Sequence, residues 1–501
     1  MKKKLFLIAL VSLISMQLFS ATMNSKVRKV PKNIQDGIFT DPKENIIDLT
    51  KFLASGSNDT ASKVKIFHDW ICDNIAYDCD VFTENGAGEQ GYETVLKKRR
   101  AVCVGYANLL AVMCQVVDIE CEIVYGWSKG FNYPGYLREE SDHAWNAVKI
   151  GGKWKLIDVT WDAGFVERRS FIKHYTNQWY NLTPGQFIYS HFPEEEKWQL
   201  LPEKQIRSPQ QFEKEPYLPG IFFEFGLAFG KTAPDYSNVI SGMTYFEVTS
   251  SKSNVRLNAD IYGDGPADTT NAVFYANNGN SKRIIFDVPD KELYTLRVGA
   301  NDGTVKNPTF FSKTDFEQKI IPEARGLVSK KKISQNEYNF FEKSFYLIEE
   351  NGRYYFSEDL FDNQRNNAVT KILKLLGRNT NRYENMFSVE VTASEDYAGF
   401  GQNVMRFPQM YRDYNVKNME LLSPLTGSLQ KKSEQHFEIK TSVYSKIAIV
   451  LGEGDFVFFQ KNQKNGVFEL DFTIPEDAAN IDVYASKDGK QYITIISYQV
   501  N

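Results

Sequence analysis

The chain has 501 residues, which is too long for one hydrophobic core, so several domains are expected at roughly one per 150 residues. Hydrophobic residues make up 42% and charged residues 24%, a composition that excludes intrinsically disordered and membrane-embedded proteins. A net charge of −4 excludes the strongly basic surface typical of nucleic-acid-binding proteins.

The N-terminal sequence is typical of a secretory signal peptide. Lysines at positions 2–4 precede an apolar run from Leu5 to Phe19, and small residues follow it. This run is shorter than the roughly 20 residues that cross a bilayer, which favours a cleaved signal over a retained membrane anchor. We therefore expect an exported protein, whether secreted, periplasmic or at the cell surface, with no transmembrane segment after cleavage.

Residues 60–76 are predicted to form an amphipathic helix. Val64, Phe67 and Ile71 recur at helical spacing on one face, and charged residues lie opposite. His68 borders the apolar face, and we interpret it as a structural residue.

All five cysteines lie in one window of the chain, between Cys72 and Cys121. In an oxidising compartment an odd number leaves at least one thiol unpaired and reactive. Two interpretations stay open: disulfides join Cys72, Cys79, Cys114 and Cys121 in pairs and leave Cys103 free, or all five are thiols. The cysteines do not form short pairs with histidines, so no metal and no cofactor are expected.

A second helix is predicted to begin near Cys103, because apolar residues recur from there to Val117 with helical spacing. Backbone N–H groups and the dipole at a helix N-terminus stabilise a thiolate, the nucleophilic form of cysteine. Gly105 would let a substrate or another chain approach the first turn closely, and the Cys103 N–H could donate to an oxyanion. Cys103 is therefore the candidate nucleophile.

Three strands are predicted to follow this helix, over residues 122–126, 143–150 and 153–159. The two glycines at positions 151 and 152 separate the last two strands, and a two-residue glycine turn is a strong signal for a β-hairpin.

The whole chain contains only five histidines, so few residues could act as a general base. Counting outward from the glycine turn places Trp145 opposite Asp158, and His143 becomes a diagonal neighbour of Asp158 on the same face. An aspartate there can accept a hydrogen bond from one imidazole nitrogen and leave the other facing the thiol. We therefore predict Cys103 as nucleophile, His143 as base and Asp158 as the residue that orients it.

These residues lie in segments that resemble the three core motifs of the transglutaminase-like superfamily. The segments are RAVCVGYA at 100–107, SDHAWN at 141–146 and WKLIDVTWD at 154–162. Within the superfamily, the kyphoscoliosis peptidase group is the most similar. This resemblance is extended by FIYSHFP at 187–193, WQLL at 198–201, FPQ at 407–409 and LSPLTG at 422–427. The strong similarity covers about residues 60–205.

The resemblance implies a papain-like α+β fold, in which the nucleophile helix packs on an antiparallel sheet that carries the histidine and the aspartate. It also implies acyl transfer through a thioester. Gln90 and Tyr92 are the two candidates for completing the oxyanion hole. Asp162 is the other carboxylate that competes with Asp158, but across the hairpin it would lie near Ser141, away from the histidine.

After residue 205 prolines cluster, and the chain continues as short β-type runs separated by Gly, Asn and Asp. This pattern is typical of immunoglobulin-like β-sandwich domains. The predicted organisation is a signal peptide at 1–21, a transglutaminase-like thiol enzyme domain at 22–205, a β-sandwich at 206–312, a mixed connector at 313–385 and a second β-sandwich at 386–501.

The function expected from these features is that of an exported cysteine peptidase or amidase acting on protein or peptide substrates. The β-domains would bind a cell-envelope or extracellular protein. Two alternatives remain: a cross-linking transglutaminase that uses a lysine amine as acceptor, and a non-catalytic scaffold or binding protein.

Overall fold

The computed structural model forms two compact units. The first comprises the described residues up to Glu224 with Pro234–Asn238 and Phe387–Val389, and the second comprises Phe225–Ala233, Val239–Met386 and Glu390–Asn501. The structure describes residues 29–501 apart from 83–87, 131–132, 168, 253, 266, 268, 270, 302–315, 343–346, 351–352, 357–367, 370, 374, 377–383, 402–403, 412–413, 415–418 and 452–454.

The first unit is an α+β domain. Its helices are α1 (Lys32–Thr40), α2 (Pro42–Ala54), α3 (Thr60–Asn74), α4 (Tyr92–Lys98), α5 (Cys103–Val116), α6 (Val159–Ala163), α7 (Gln178–Asn181), α8 (Pro184–Phe187), α9 (Pro209–Lys214) and α10 (Gly220–Glu224). Short 3₁₀ turns cover Cys79–Phe82, Glu196–Gln199 and Glu203–Gln205. Its strands are β1 (Ala76–Tyr77), β2 (Arg100–Ala101), β3 (Cys121–Ser128), β4 (His143–Ile150), β5 (Lys153–Ile157), β6 (Gly164–Glu167), β7 (Ser170–Lys173) and β8 (His191–Pro193).

The core of this unit lies between the helices and an antiparallel sheet with the strand order β5, β4, β3, β8. Helix α5 packs on β3 and β4. Leu109, Leu110 and Met113 of α5 are fully buried, and they join one hydrophobic cluster with Val64 and Phe67 of α3. Helix α5 begins at Cys103, as the apolar spacing predicts.

The hairpin between β4 and β5 has the predicted register, since Ile150 pairs with Lys153 and Asn146 with Ile157. Gly151 and Gly152 have positive φ angles of 58° and 77°, which suit a tight hairpin turn.

The predicted strand over 153–159 was wrong at its end, because β5 stops at Ile157. Asp158 caps the short helix α6 instead, and its carboxylate accepts a hydrogen bond from the Trp161 N–H at 3.1 Å. A side chain that satisfies a free N–H of the first helical turn favours helix over strand at this position.

The second unit consists mainly of antiparallel strands. The remaining strands of the chain are β9 (Leu227–Phe229), β10 (Ser237–Ile240), β11 (Thr244–Ser250), β12 (Arg256–Gly263), β13 (Val273–Asn278), β14 (Ser281–Phe286), β15 (Tyr294–Asn301), β16 (Leu347–Glu350), β17 (Arg353–Phe356), β18 (Glu384–Ala393), β19 (Gln409–Met410), β20 (Met419–Ser423), β21 (Ser428–Leu429), β22 (Glu434–Thr441), β23 (Lys446–Leu451), β24 (Asp455–Phe458), β25 (Gln460–Lys461), β26 (Val467–Thr473), β27 (Asn480–Ser486) and β28 (Ile493–Val500). Its helices are a π-helical turn (Phe316–Ile320), α11 (Ile321–Ser329) and α12 (Gln335–Glu342).

Two large sheets of the second unit share a hydrophobic core. One has the order β25, β26, β22, β20, β13, β14, β11, β9, and the other contains β19, β28, β27, β23 and β24 in that order. Phe437 and Ile439 of the first sheet lie in one buried cluster with Ile481 and Val483 of the second. The predicted architecture, an α+β domain followed by a sandwich-like β region, is therefore confirmed.

One predicted domain limit falls inside a strand. Strand β18 runs across position 386, the predicted start of the second sandwich, and lies beside β15 in a four-stranded sheet. The predicted signal peptide at 1–21 falls outside the described residues. Within the described part of the chain, no helix has both the length and the apolar character needed to cross a membrane.

Candidate active site

Cys103 is the first residue of α5, and the chain just before it is held by its pairing with strand β1. Strand β2 pairs with β1, so that Ala101 lies opposite Tyr77, and the Asp78 N–H donates to the Ala101 carbonyl at 2.8 Å. Val102 is extended and precedes the first helical turn. The partly exposed Cys103 thiol thereby occupies the positive end of the helix dipole.

Gln90 lies beside this turn. Its Oε1 accepts a hydrogen bond from the Val102 N–H at 2.9 Å, and its Nε2 donates to the Gly88 carbonyl at 3.2 Å. A side chain on Gly105 would meet Gln90 Oε1 at 2.6 Å and the Ala101 side chain at 2.8 Å. The space at Gly105 is therefore filled by the protein's own residues, not left open for a substrate as the sequence suggests.

Tyr92, the other oxyanion candidate, begins α4 and packs against the helical core. Burial and the neighbouring carboxylate of Glu93 raise the pKa of the Tyr92 hydroxyl.

His143 and Asp158 lie side by side. His143 Nε2 is 2.8 Å from Asp158 Oδ2, and both residues are buried. Cys103 also acts on His143, since its interaction with the imidazole helps to raise the pKa of His143. Since Nε2 faces the carboxylate, Nδ1 is the nitrogen left for the thiol. The structure thus brings the three predicted residues together in the predicted order.

The electrostatics of this pair favour an ionised state. Burial by itself would lower the pKa of His143, but the charge and the hydrogen bond of Asp158, with a smaller contribution from Cys103, raise it to about 10. Burial by itself would raise the pKa of Asp158, but the charge and hydrogen bond of His143, with those of His191, hold it well below its usual range. The two groups stabilise each other as imidazolium and carboxylate.

His191 is a member of the site that the sequence reasoning did not assign. Its Nε2 lies 3.1 Å from the same Asp158 Oδ2, and its Nδ1 lies 2.7 Å from the Ser190 hydroxyl. Burial lowers the pKa of His191 to about 4, although Asp158 opposes this shift. His191 is therefore neutral near pH 7, and the charged Asp158 selects the tautomer in which Nε2–H donates to it. The only signal in the sequence was its place in the FIYSHFP segment.

The nitrogens of His143 and His191 and the Asp158 oxygen lie within 4.8 Å of one another, close enough in principle for a metal ion. Both Nε2 atoms face the same carboxylate oxygen and carry protons when they donate to it. A protonated nitrogen has no lone pair to offer a metal, so this arrangement fits a hydrogen-bonded triad with an added donor.

Asp162 belongs to a second buried network and does not contact His143. Its Oδ2 lies 3.0 Å from His68 Nε2, and it accepts hydrogen bonds from the backbone N–H groups of Trp179 at 3.2 Å and Tyr180 at 2.8 Å. The interpretation of His68 as a structural residue agrees with its complete burial. This network ties α6 to α3 and α7, and the position of Asp158 at the start of α6 depends on it.

All five cysteines are free thiols in the structure. The Cys72 thiol donates to the Val159 carbonyl at 3.6 Å, and the Cys121 sulfur accepts a hydrogen bond from the Asn146 side chain at 3.5 Å. The pairing of the cysteines in an oxidising compartment stays a prediction.

A cleft of about 340 Å³ opens beside His143. Its walls come from β1 and the 3₁₀ turn at Cys79–Phe82 on one side, and from α6 and the hairpin of β6 and β7 on the other. The cleft offers a polypeptide segment direct access to the imidazole.

Comparison with known proteins agrees with this geometry. The family model for the transglutaminase-like superfamily matches residues 47–159, a span that includes Cys103, His143 and Asp158. The kyphoscoliosis peptidases of Mus musculus and Homo sapiens are each 35% identical over 189 residues, which is 37% of this chain and 28% of theirs. The Lim and transglutaminase domain protein ltd-1 of Caenorhabditis elegans is 23% identical over 277 residues, which is 50% of this chain and 36% of that protein.

The chain spans only 28% of the length of the two kyphoscoliosis peptidases, so the similarity concerns one domain. This domain is the first unit described above, since the matched residues 47–159 lie within it. The chain therefore carries a transglutaminase-like domain similar to that of the kyphoscoliosis peptidase group.

Proposed function

We propose that the first unit is a cysteine peptidase or amidase that acts on protein or peptide substrates through a thioester. The observation that carries this proposal is the arrangement of Cys103, His143 and Asp158, in which a partly exposed thiol begins a helix and a buried imidazole is hydrogen-bonded to a carboxylate. The Cys103 thiol is partly exposed, unlike the buried Cys72 thiol, which lies 3.8 Å from the structural His68.

In the acylation step, the Cys103 thiolate attacks the substrate carbonyl and forms a C–S bond. Imidazolium His143 gives its proton to the leaving amine as the C–N bond breaks. The Cys103 N–H is one donor for the oxyanion, and Gln90, held beside Val102, is the side chain that we propose for completing it.

In the deacylation step, neutral His143 takes a proton from water, and the resulting hydroxide attacks the thioester carbonyl. The C–S bond breaks, and the thiolate and imidazolium return. Asp158 stabilises the imidazolium and fixes the ring orientation throughout. If a lysine amine replaces water, the same steps join two proteins by an isopeptide bond.

The test combines thiol labelling with turnover. Iodoacetamide should label Cys103 in the native protein faster than the other thiols, and a panel of amide substrates should be hydrolysed by the wild type. Cys103→Ala should abolish the fast labelling and the hydrolysis. Cys79→Ala, which removes another partly exposed thiol, should preserve the fast labelling and the hydrolysis.

Three outcomes separate the candidate functions. Release of amine without amine incorporation supports the peptidase or amidase. Incorporation of a labelled primary amine into protein supports the cross-linking enzyme. If neither reaction occurs and the β-domains bind a partner, the scaffold function would take the place of the catalytic one.

Export is part of the same proposal, because the charged start and the apolar run before Ala21 support a signal peptide. We propose that the β-domains hold the enzyme on a cell-envelope or extracellular protein. Sequencing the N-terminus of the secreted or periplasmic protein tests export, and a mature chain that still begins at Met1 would contradict it.

A further inference from the structure

The cleft beside His143 has an unusually aromatic lining. The aromatic residues that line it are Tyr77, Phe82, Trp161, Phe165, Phe171 and Tyr217. Val81 and Val166 add aliphatic surface. Burial of an aromatic or large aliphatic group against such walls removes apolar surface from water and allows edge-to-face ring contacts.

The charged groups at this cleft are already paired within the protein. Arg138 forms an ion pair with Asp142, and Asp142 also accepts a hydrogen bond from the Ser128 N–H at 3.0 Å. The buried Lys129 ammonium donates to the backbone carbonyls of Phe212 and Glu215. Recognition in the cleft therefore depends on apolar contact more than on charge.

The cleft reaches the proposed base. His143 is one of its lining residues. Tyr77, which also lines it, lies on β1, the strand that pairs with β2 just before Cys103 in the sequence. A side chain in the cleft would thus belong to a residue adjacent to the carbonyl under attack.

One wall is a two-stranded hairpin that can be altered without touching the triad. Val166 of β6 and Phe171 of β7 face each other across the antiparallel pair, and both line the cleft. A volume of about 340 Å³ is at the lower end of ordinary ligand pockets, which suits one large side chain with its backbone.

We propose that this cleft is the subsite that selects a bulky aromatic side chain next to the reacting acyl group of a peptide substrate. The proposal rests on the thiol mechanism proposed above and deepens it by defining the substrate class. Phe171 and Val166 are the residues that determine this specificity.

The experiment uses peptidyl chloromethyl ketones that differ only in the residue next to the reactive ketone, phenylalanine or alanine. The Cys103 thiolate displaces chloride, a C–S bond forms, and mass spectrometry measures the rate of labelling. In the full-length wild type, labelling should be at least about tenfold faster with the phenylalanine probe, as expected for filling an apolar pocket.

Two variants and one control test the cleft itself. Phe171→Ala should reduce the preference for the phenylalanine probe severalfold by removing one wall. Val166→Arg should abolish it by filling the cleft with a charged side chain. Tyr125→Ala, which removes an aromatic residue that is 47% exposed on β3, should leave the preference unchanged. The readout in each protein is the ratio of the two labelling rates, in which a change in thiol reactivity common to both probes cancels.

Equal labelling by the two probes in the wild type would overturn the subsite, and so would a preference that persists in both cleft variants. If the wild type hydrolyses amides without any preference for aromatic residues, the subsite fails while the thiol mechanism stands. If iodoacetamide does not select Cys103 and no amide is cleaved, the proposed mechanism itself fails.

Discussion

Asp158 combines three contacts on one side chain. It accepts hydrogen bonds from His143 and His191 through Oδ2, and from the Trp161 N–H through Oδ1. The last contact fixes the carboxylate at the start of α6, and the other two hold both imidazoles against it. A fully buried carboxylate with several donors stays ionised, and its charge can stabilise the imidazolium that catalysis requires.

Replacement of Asp158 by asparagine should lower kcat by as much as about 10⁴-fold, the loss seen for the equivalent change in a serine protease. The amide keeps the shape of the side chain but loses the charge that stabilises His143. Steady-state kinetics on an amide substrate measures the effect. Cys103→Ala should be more severe, and Asp118→Asn on an exposed turn should be neutral. Wild-type kinetics in Asp158→Asn would contradict the orienting role.

The raised pKa of His143 makes a prediction about stability at alkaline pH. Because its folded-state pKa of about 10 lies above the ordinary 6.5, this stabilisation is complete below about pH 6.5 and is lost as the pH rises toward 10. The free energy of unfolding should fall by up to about 1.4 kcal/mol per pH unit in this range. Urea titrations at a series of pH values measure the slope.

His143→Gln is the control for this pH dependence, since glutamine has no proton to lose. Its unfolding free energy should change less between pH 7 and pH 10 than that of the wild type. Identical slopes for the two proteins would show that His143 is not held as an imidazolium. The lowered pKa of Asp158 has its effect at acidic pH. The stabilisation of the fold by the Asp158 carboxylate is lost as the pH falls and the carboxylate becomes protonated.

At the scale of elements, the N-termini of two helices position the residues of the site. The N-terminus of α5 presents Cys103, and the start of α6 presents Asp158. Gln90 lies outside α5 and accepts a hydrogen bond from the Val102 N–H, one of the backbone groups that a helix terminus leaves without a helical partner. Helix α6 is held through its own Asp162, which pairs with His68 of α3.

Gly105→Ala should disturb the first turn of α5. The added methyl group would lie 2.6 Å from Gln90 Oε1, 2.8 Å from the Ala101 side chain and 2.9 Å from that of Val95. Overpacking of this kind costs about 1–3 kcal/mol, and the shift of α5 should also slow the alkylation of Cys103. Urea unfolding and iodoacetamide labelling measure the two effects.

Gly326→Ala in α11 is a matched control, because a methyl group there would meet nothing within 4 Å. It should stabilise the protein by about 0.5–1 kcal/mol through the helix preference of alanine. A Gly105→Ala protein with normal stability and labelling would show that the turn has room to adjust.

At the scale of the whole molecule, the reactive and spectroscopic side chains are concentrated in the first unit. All five cysteines lie between Cys72 and Cys121, and all seven tryptophans lie between Trp70 and Trp198. The second unit, whose large sheets span Leu227 to Val500, contains neither residue type. Tryptophan fluorescence therefore reports on the first unit, whereas far-ultraviolet circular dichroism reports on both.

This distribution predicts how a thiol reductant should act. Dithiothreitol should shift only the thermal transition seen by tryptophan fluorescence, because any disulfide must form within the first unit. The remaining transition seen by circular dichroism should keep its Tm. A reductant-dependent shift of that second transition would contradict this prediction.

The sequence by itself determined the contacts that are local in the chain. Helical spacing after Cys103 defined the nucleophile helix, and the glycine turn set the hairpin register that brings His143 beside Asp158, only 15 residues away. The sequence did not reveal that Asp158 caps a helix, because its hydrogen bond to the backbone outweighs the strand pattern around it.

Only the tertiary structure decided the contacts that join distant segments. His191 meets Asp158 across 33 residues, and His68 meets Asp162 across 94 residues. The aromatic cleft likewise combines side chains from β1, α6 and the β6–β7 hairpin. These groups have no mutual spacing in the sequence, since their approach is set by the packing of helices on the sheet.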